Sequence, residues 1–159
     1  MADKYNLFNQ KAVLTYKVSN KNPFYSSYGR AHREPRRADF ENGITKSEKL
    51  DDYELGWRFK AKKNTINTNV YFMNYKDQLV LTGAIDDTGA PRRATSGKSY
   101  RLGIEIDAVF LICDNFRILP NLALSNNKNI DFVSSIDGEL VNLGATNLSF
   151  SPNIVAGNK

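Results

Sequence analysis

Two adjacent carboxylate pairs, Asp51-Asp52 and Asp86-Asp87, are the first groups in this sequence suited to proton transfer or to holding a hard cation. Calcium takes about six to eight oxygen ligands, and no spaced set of oxygens accompanies either pair. Both pairs stand beside loops, where aspartate is favoured by turn geometry and solvation. His32 is the only histidine and Cys113 the only cysteine. One histidine excludes a multi-histidine metal centre, and one cysteine excludes an internal disulfide. A Cys–His dyad would need these two residues to meet in space without any supporting motif. Gly83, Gly89 and Gly97 fall in one stretch, but no Gly-Lys-Ser/Thr element follows a strand, as a phosphate loop requires. The chain is therefore read as a non-enzyme with no catalytic residue, no metal site and no cofactor.

Binding chemistry is better represented. Arg30, His32, Arg33, Arg36 and Arg37 crowd one segment, and Arg92-Arg93 sit in a second. A third segment is acidic, with Asp131, Asp137 and Glu139. Clustered cations raise the local concentration of an anionic ligand, so Arg33, Arg36, Arg37, Arg92 and Arg93 are the candidate substrate-binding residues. The competing reading pairs them with Glu34, Asp39 and Glu41 at a solvated surface. Tyr53, Trp57, Tyr71, Tyr75 and Tyr100 could form carbohydrate platforms, but an interfacial girdle or sheet packing accounts for them more simply. The net charge is +5, and the pI of about 9.3 raises the question of nucleic acid. The 17 acidic residues are interleaved with the 22 basic ones and no basic stripe forms, so no nucleic-acid partner is expected.

Strands must position these groups. Helical periodicity is nearly absent, and period-two alternation is strong. From Tyr100 the even positions read Tyr100, Leu102, Ile104, Ile106, Ala108, Phe110 and Ile112. The odd positions read Arg101, Gly103, Glu105, Asp107, Val109 and Leu111. Likewise Tyr53, Leu55, Trp57, Phe59 and Ala61 share a face, opposite Glu54, Gly56, Arg58 and Lys60. Strands are predicted over 6–18, 24–33, 50–62, 65–82, 99–112, 116–129 and 146–157. Several exceed the ~5–6 residues of a soluble strand and suit the ~9–11 residues with which a tilted strand crosses a bilayer.

The predicted connections alternate in length. Short ones fall at Ser19 to Asn22, Lys63-Asn64 and Cys113 to Asn115. Long ones run from Glu34 to Lys49, Gly83 to Lys98 and Ile130 to Ala145. Outer-membrane barrels alternate in this way, with tight turns on the periplasmic side and long loops outside. A turn at Lys63-Asn64 would place Ala61 opposite Ile66, Phe59 opposite Thr68, Trp57 opposite Val70 and Leu55 opposite Phe72. A turn at 113–115 would place Ile112 opposite Phe116, Phe110 opposite Ile118 and Ile106 opposite Leu122. The first hairpin, with Pro23 and the mixed segment from Phe24 to Tyr28, allows either face outward. No apolar h-region follows Met1, so no signal peptide is expected, and no apolar run reaches the ~20 residues of a membrane helix.

Several segments resemble the TonB-dependent receptor family. Tyr28-Gly-Arg-Ala-His-Arg-Glu-Pro-Arg-Arg-Ala-Asp-Phe40 is similar to that family's strand end and loop carrying an Arg-Glu-Pro element. Glu48-Lys-Leu-Asp-Asp-Tyr-Glu-Leu-Gly56 resembles its recurring "tyr-glu-leu-gly" strand start, with Ser47 where the family often has Pro. The segments 69–83 and 99–105 resemble further barrel strands, and Phe150-Ser-Pro152 the start of a later one. The resemblance covers nearly the whole chain.

It implies an all-β, antiparallel up-and-down meander of about seven long strands, one segment of a barrel of about 22 strands around a plugged lumen. Residues 1–159 would be wall without a separate domain boundary, stopping mid-barrel at Asn158-Lys159. The plug, the energy-coupling box and the closing strand have no counterpart, and Met1-Ala2 reads as a start added to an internal segment. The implied function is uptake of a scarce nutrient, such as an iron–siderophore, cobalamin or glycan, at the bacterial outer membrane. The implied partners are the rest of the barrel, the plug, outer-membrane lipid and, only through the plug, the TonB energy complex. Glu54, Arg58, Lys60, Arg101, Glu105, Asp107, Arg117 and Asn121 would line the lumen. The alternative is a soluble all-β binding module, which would need a second apolar layer to bury the row from Tyr100 to Ile112.

Overall fold

The computed structural model describes residues 5–41, 43–85, 89, 91–136 and 139–158, and within the strands all side chains except those of 81–84, 91–92, 96, 133–136 and 139–140. The chain forms one antiparallel sheet with the path β1-β2-β3-β4-β5-β7-β8. The strands on it are β1 (Gln10–Ser19), β2 (Asn22–Arg33), β3 (Glu48–Lys60), β4 (Asn64–Ile85), β5 (Pro91–Cys113), β7 (Pro120–Ile136) and β8 (Glu139–Asn147). Two short strands lie off the path: β6 (Phe116–Ile118) pairs with β5, and β9 (Ile154–Asn158) with β7. The predicted up-and-down meander is the observed architecture, in which each strand on the path pairs with the next one along it.

Two of the seven predicted strands are interrupted. The sixth is broken at Leu119 into β6 and β7. The seventh is broken between β8 and β9, yet both halves run along β7. Leu148 donates to the Asn127 carbonyl and Ser125 to that of Asn153, so residues 149–152 loop out of one edge strand. Phe150, at φ 57°, and Pro152 lie in that excursion, so Phe150-Ser-Pro152 does not begin a strand.

The long connections predicted at 83–98 and 130–145 are largely ladder. β4 and β5 stay paired out to Ile85 with Pro91, about 30 Å beyond Lys76 at the usual strand rise. Beyond Asn129, β7 pairs with β8 out to Ile136 with Glu139, with a bulge near Gly144, whose φ of 63° suits glycine. The remaining long connection, 34–47, carries an unforeseen helix, α1 (Arg37–Glu41). The first predicted strand starts at Gln10 rather than at residue 6.

The β3–β4 register differs from the predicted one by two residues. Phe59 faces Ile66, Trp57 faces Thr68, Leu55 faces Val70 and Tyr53 faces Phe72. Trp57 is therefore not opposite Val70. The two-residue turn is Lys62-Lys63 instead of Lys63-Asn64, because the Ala61 N–H donates to the Asn64 carbonyl at 2.8 Å and closes the hairpin there. At the other hairpin Phe110 faces Ile118 and Ile106 faces Leu122, as predicted. Phe116, however, pairs with Cys113 across an irregularity, not with Ile112. The first hairpin puts Ala12, Leu14 and Tyr16 beside Tyr28, Ser26 and Phe24 on one face.

Because directly opposed residues share a face, the ladders sort the whole sheet. One face carries Leu14, Leu55, Val70, Ile104 and Leu124 in a single cross-strand row. Its apolar side chains are not covered: Leu14 is 72% exposed, Leu55 57% and Leu102 45%. Among the described residues only Ile44 and Ala108 are buried hydrophobics, whereas six polar or charged residues are buried. A soluble domain shows the reverse distribution, and among the described residues no second layer covers the apolar face. Among the described residues no helix is long and apolar enough to cross a membrane, which says nothing of strands.

Candidate functional site

The polar face holds all eight residues predicted to line the lumen. Glu54 and Arg58 from β3 and Arg101, Glu105 and Asp107 from β5 project to the same side, as do Lys60, Arg117 and Asn121. They fill a shallow relief rather than a closed pocket. Glu54 accepts a hydrogen bond from the Ser27 hydroxyl at 3.2 Å, and the Arg58 guanidinium lies 5.2 Å over the Tyr25 ring. A groove is lined by Tyr25, Arg58, Asn67, Asn69, Glu105 and Asp107, with opposite charges on its two sides.

Tyrosine rings build this surface by lying flat over glycines. Tyr25 is paired with Gly56 and Tyr71 with Gly103, and a Cβ at either glycine would run into the facing ring. Tyr25 is held in place by donating to Asn69 Oδ1 at 3.1 Å. The glycine ending each Tyr-x-Leu-Gly segment thus makes room for the neighbouring strand's aromatic ring.

One cross-strand row stands apart. The ladders place Asp52 opposite Met73, Met73 opposite Arg101 and Arg101 opposite Asn127. Asp52 Oδ1, Arg101 Nε and Asn127 Oδ1 are all buried without a hydrogen-bond partner. Such an atom costs about 1–3 kcal/mol when left unpaired. Here an acceptor, a donor and an acceptor fall in one row on the polar face. Arg101 is further fixed by stacking 5.2 Å over Tyr75.

The loop-side rim holds the predicted substrate-binding arginines. Arg33 reaches Glu48 at 3.3 Å, Arg37 reaches Glu41 at 3.1 Å, and Arg93 lies 3.8 Å from the buried Asp39. Asp39 also accepts from the Arg36 N–H at 2.8 Å and so fixes the start of α1. Asp39 therefore brings Arg93 to the backbone of Arg36, while Arg37 turns to Glu41 and Arg33 stands at the foot of the same connection. Each of Arg33, Arg37 and Arg93 has its charge offset by a carboxylate. Among the described residues Arg36 has no carboxylate within ion-pair distance. Arg92 is the second residue of β5, with its side chain outside the described set, and Asp86, Asp87 and Asp137 lie outside the described residues.

A second charged cluster was not visible in the sequence. Asp51 is 6% exposed and accepts from Arg30 at 2.6 Å, Lys49 at 3.1 Å and the Tyr28 hydroxyl at 3.0 Å. It stands on the apolar side of the sheet, so the Asp51-Asp52 pair is split between the two faces and cannot act together on one ligand. No group of three metal-ligating side chains occurs among the described residues.

The family described as "TonB dependent receptor-like, beta-barrel" matches residues 2–157. No curated protein sequence matches. The ferric-catecholate import receptor Fiu of E. coli K12 superposes with a TM-score of 0.68 at 17% identity, covering 96% of this chain and 22% of that one. The alcaligin outer-membrane receptor FauA of Bordetella pertussis gives 0.63 at 16%, covering 98% and 26%. The copper transporter OprC gives 0.61 at 17%, covering 75% and 20%. At these identities the likeness is one of fold, and the chain spans about a quarter or less of each structure.

Proposed function

Because the chain belongs to the TonB-dependent receptor-like β-barrel family, we propose that it is a wall segment of an outer-membrane active-transport receptor, with its apolar face toward lipid and its polar face toward the lumen. The family consists of transport receptors, and its members are outer-membrane proteins. The observation that carries this reading is the inverted burial: exposed leucine, isoleucine and valine on one face, buried and unpaired polar atoms on the other. Lipid supports the first and a polar body inside the barrel the second. In the complete receptor Asp52, Arg101 and Asn127 dock the plug, whose own polar groups supply the missing partners. Glu54, Arg58, Glu105 and Asp107 line the wet lumen beside it.

The cargo is a scarce nutrient such as an iron–siderophore or cobalamin. Arg36 and its neighbours Arg33, Arg37, Arg92 and Arg93 at the rim suit first contact with an anionic chelate. The soluble-module reading lacks the second layer that it requires.

The test is the state of the chain in plain buffer and in detergent. Both edges, β1 on one side and β8 with β9 on the other, are open, and open edges beside an apolar face drive association. We expect aggregates or oligomers in buffer and dispersed β-rich particles in detergent, read by light scattering and circular dichroism. A folded monomer in buffer at high concentration would reject the membrane-wall reading.

A further inference from the structure

Four basic side chains cross the apolar side of the sheet at its loop end. The ladders pair His32 with Lys49, Lys49 with Lys76 and Lys76 with Lys98, so the four stand side by side on β2 to β5. One row nearer the apolar band stand Arg30, Asp51, Asn74, Tyr100 and Lys128, again opposed in turn. Lys49, Lys76, Lys98, Arg30 and Lys128 are basic, and Asp51 is the one carboxylate in these two rows. Arg30 and Lys49 already share it. Lys76 and Lys98 are exposed, and among the described residues neither has a carboxylate within ion-pair distance. Directly opposed like charges destabilise a ladder. Three lysines opposed on adjacent strands therefore call for a counter-charge from outside the chain.

Their position indicates its source. The next row is aromatic: Tyr28 lies 5.0 Å from Tyr53, Tyr53 6.4 Å from Phe72, and Phe72 6.3 Å from Tyr100 on the diagonal. Beyond it comes the aliphatic row of Leu14, Leu55, Val70, Ile104 and Leu124. Cation, aromatic ring and aliphatic chain follow one another as a wall passes from headgroup phosphates through the interface to acyl chains. Lys49 stands four residues above Tyr53, about 13 Å along the strand, which is headgroup depth once strand tilt is included.

We propose that the row Lys49, Lys76 and Lys98 binds the phosphate groups of an anionic lipid in the leaflet on the loop side, with that lipid's acyl chains lying on the aromatic and aliphatic rows below. Neighbouring strands lie about 5 Å apart, so one phosphate can bridge the ammonium groups of two adjacent lysines. A free phosphate ion would use only the polar half of this surface, and the continuity of cations with the apolar band selects the lipid. This inference rests on the reading that the apolar face meets the membrane.

The experiment uses the complete receptor in phosphatidylcholine nanodiscs carrying either bis-phosphorylated lipid A or its dephosphorylated form, with bound lipid counted by native mass spectrometry. We expect the phosphorylated form to be retained at least tenfold more strongly. The combined Lys49→Gln, Lys76→Gln and Lys98→Gln variant should lose most of that preference, and the corresponding Lys→Arg variant should keep it. Millimolar inorganic phosphate should not displace the lipid. Equal retention of both lipid forms, an unchanged preference in the Gln variant, or displacement by inorganic phosphate would each overturn the proposal. If the Gln variant fails to insert, the lipid comparison on the wild type and the Arg variant still decides. A wild-type barrel that does not enter nanodiscs at all would sink the membrane reading itself, and this inference with it.

Discussion

Along β5, Leu102, Ile104 and Ile106 stand on one side of the sheet, and Arg101, Glu105 and Asp107 on the other, one residue apart in the chain. Among the described residues no further layer lies against the first side, and Leu102 there is exposed. The second is a fitted surface, with rings seated on glycines, a guanidinium stacked on tyrosine, and three buried polar atoms that still lack partners. The apolar side asks only for hydrophobic bulk, so its tolerance should depend on polarity and depth. The polar side depends on particular shapes and hydrogen bonds.

The sharpest break of this comparison uses adjacent residues. Ile104→Arg in the complete barrel should cost about 2–4 kcal/mol if the site lies near the bilayer midplane, measured by reversible folding into lipid vesicles. Glu105→Gln should fall within about 0.5 kcal/mol of wild type. Equal tolerance at the two positions would mean that the faces are assigned wrongly.

Glycine substitutions probe the fitted side. Gly103→Ala should destabilise by about 1–3 kcal/mol, since its Cβ meets both Tyr71 and the backbone oxygen of Leu124. At Gly56→Ala the nearest atoms belong to the end of the Tyr25 side chain rather than to backbone, and the change should cost less. Adding Tyr25→Ala should reduce the cost of the alanine at position 56. A double-mutant cycle with no coupling between positions 25 and 56 would remove the ring-on-glycine account.

Arg101→Met keeps the length of the side chain and removes its charge. Barrel folding should change by less than about 1 kcal/mol, because Arg101 Nε has no hydrogen-bond partner in the wall and only the stack on Tyr75 is given up. In the complete receptor the lumen should become leakier, seen as increased conductance in planar bilayers. Unchanged conductance would separate the row of Asp52, Arg101 and Asn127 from plug docking.

The smallest folding effect belongs to the rim. Arg37→Gln breaks an exposed i,i+4 pair and should shift stability by no more than about 0.5 kcal/mol. Changing Arg36, Arg37, Arg92 and Arg93 together to Gln should leave assembly intact and lower uptake of an anionic cargo, while wild-type uptake should itself fall with added salt. Uptake of every anionic cargo at the wild-type rate would exclude a capture role.

Strand identity, antiparallel order and the assignment of side chains to two faces were all legible in the alternation of Tyr53 to Phe59 and Tyr100 to Ile112. That alternation is local, because each residue's face follows from its parity along its own strand. It did not carry through to the far ends of the hairpins: Gly83, Gly89, Gly97, Asp131, Asp137 and Glu139 are turn-favouring or charged residues, so 83–98 and 130–145 read as loops. α1 was hidden for a different reason: it is five residues long and is fixed by Asp39, which contacts both Arg36 and Arg93.

Register required the tertiary structure. Moving the turn from Lys63-Asn64 to Lys62-Lys63 slides β4 by two residues along β3, and a slip of two preserves parity. The faces of β3 and β4 therefore came out correctly from the sequence while their partners did not, and the first hairpin, which the sequence left open, was assigned by its ladder. With the sequence-based register Lys49 would face Gln78. In the structure it faces Lys76, and the lysines fall into a row. The unpaired row of Asp52, Arg101 and Asn127 depends in the same way on three successive registers. The sequence by itself determined what each face is made of, because that depends on alternation within a strand. Only the tertiary structure decided which side chains stand together, because cross-strand neighbours are set by where a turn closes and by hydrogen bonds between residues far apart in the chain.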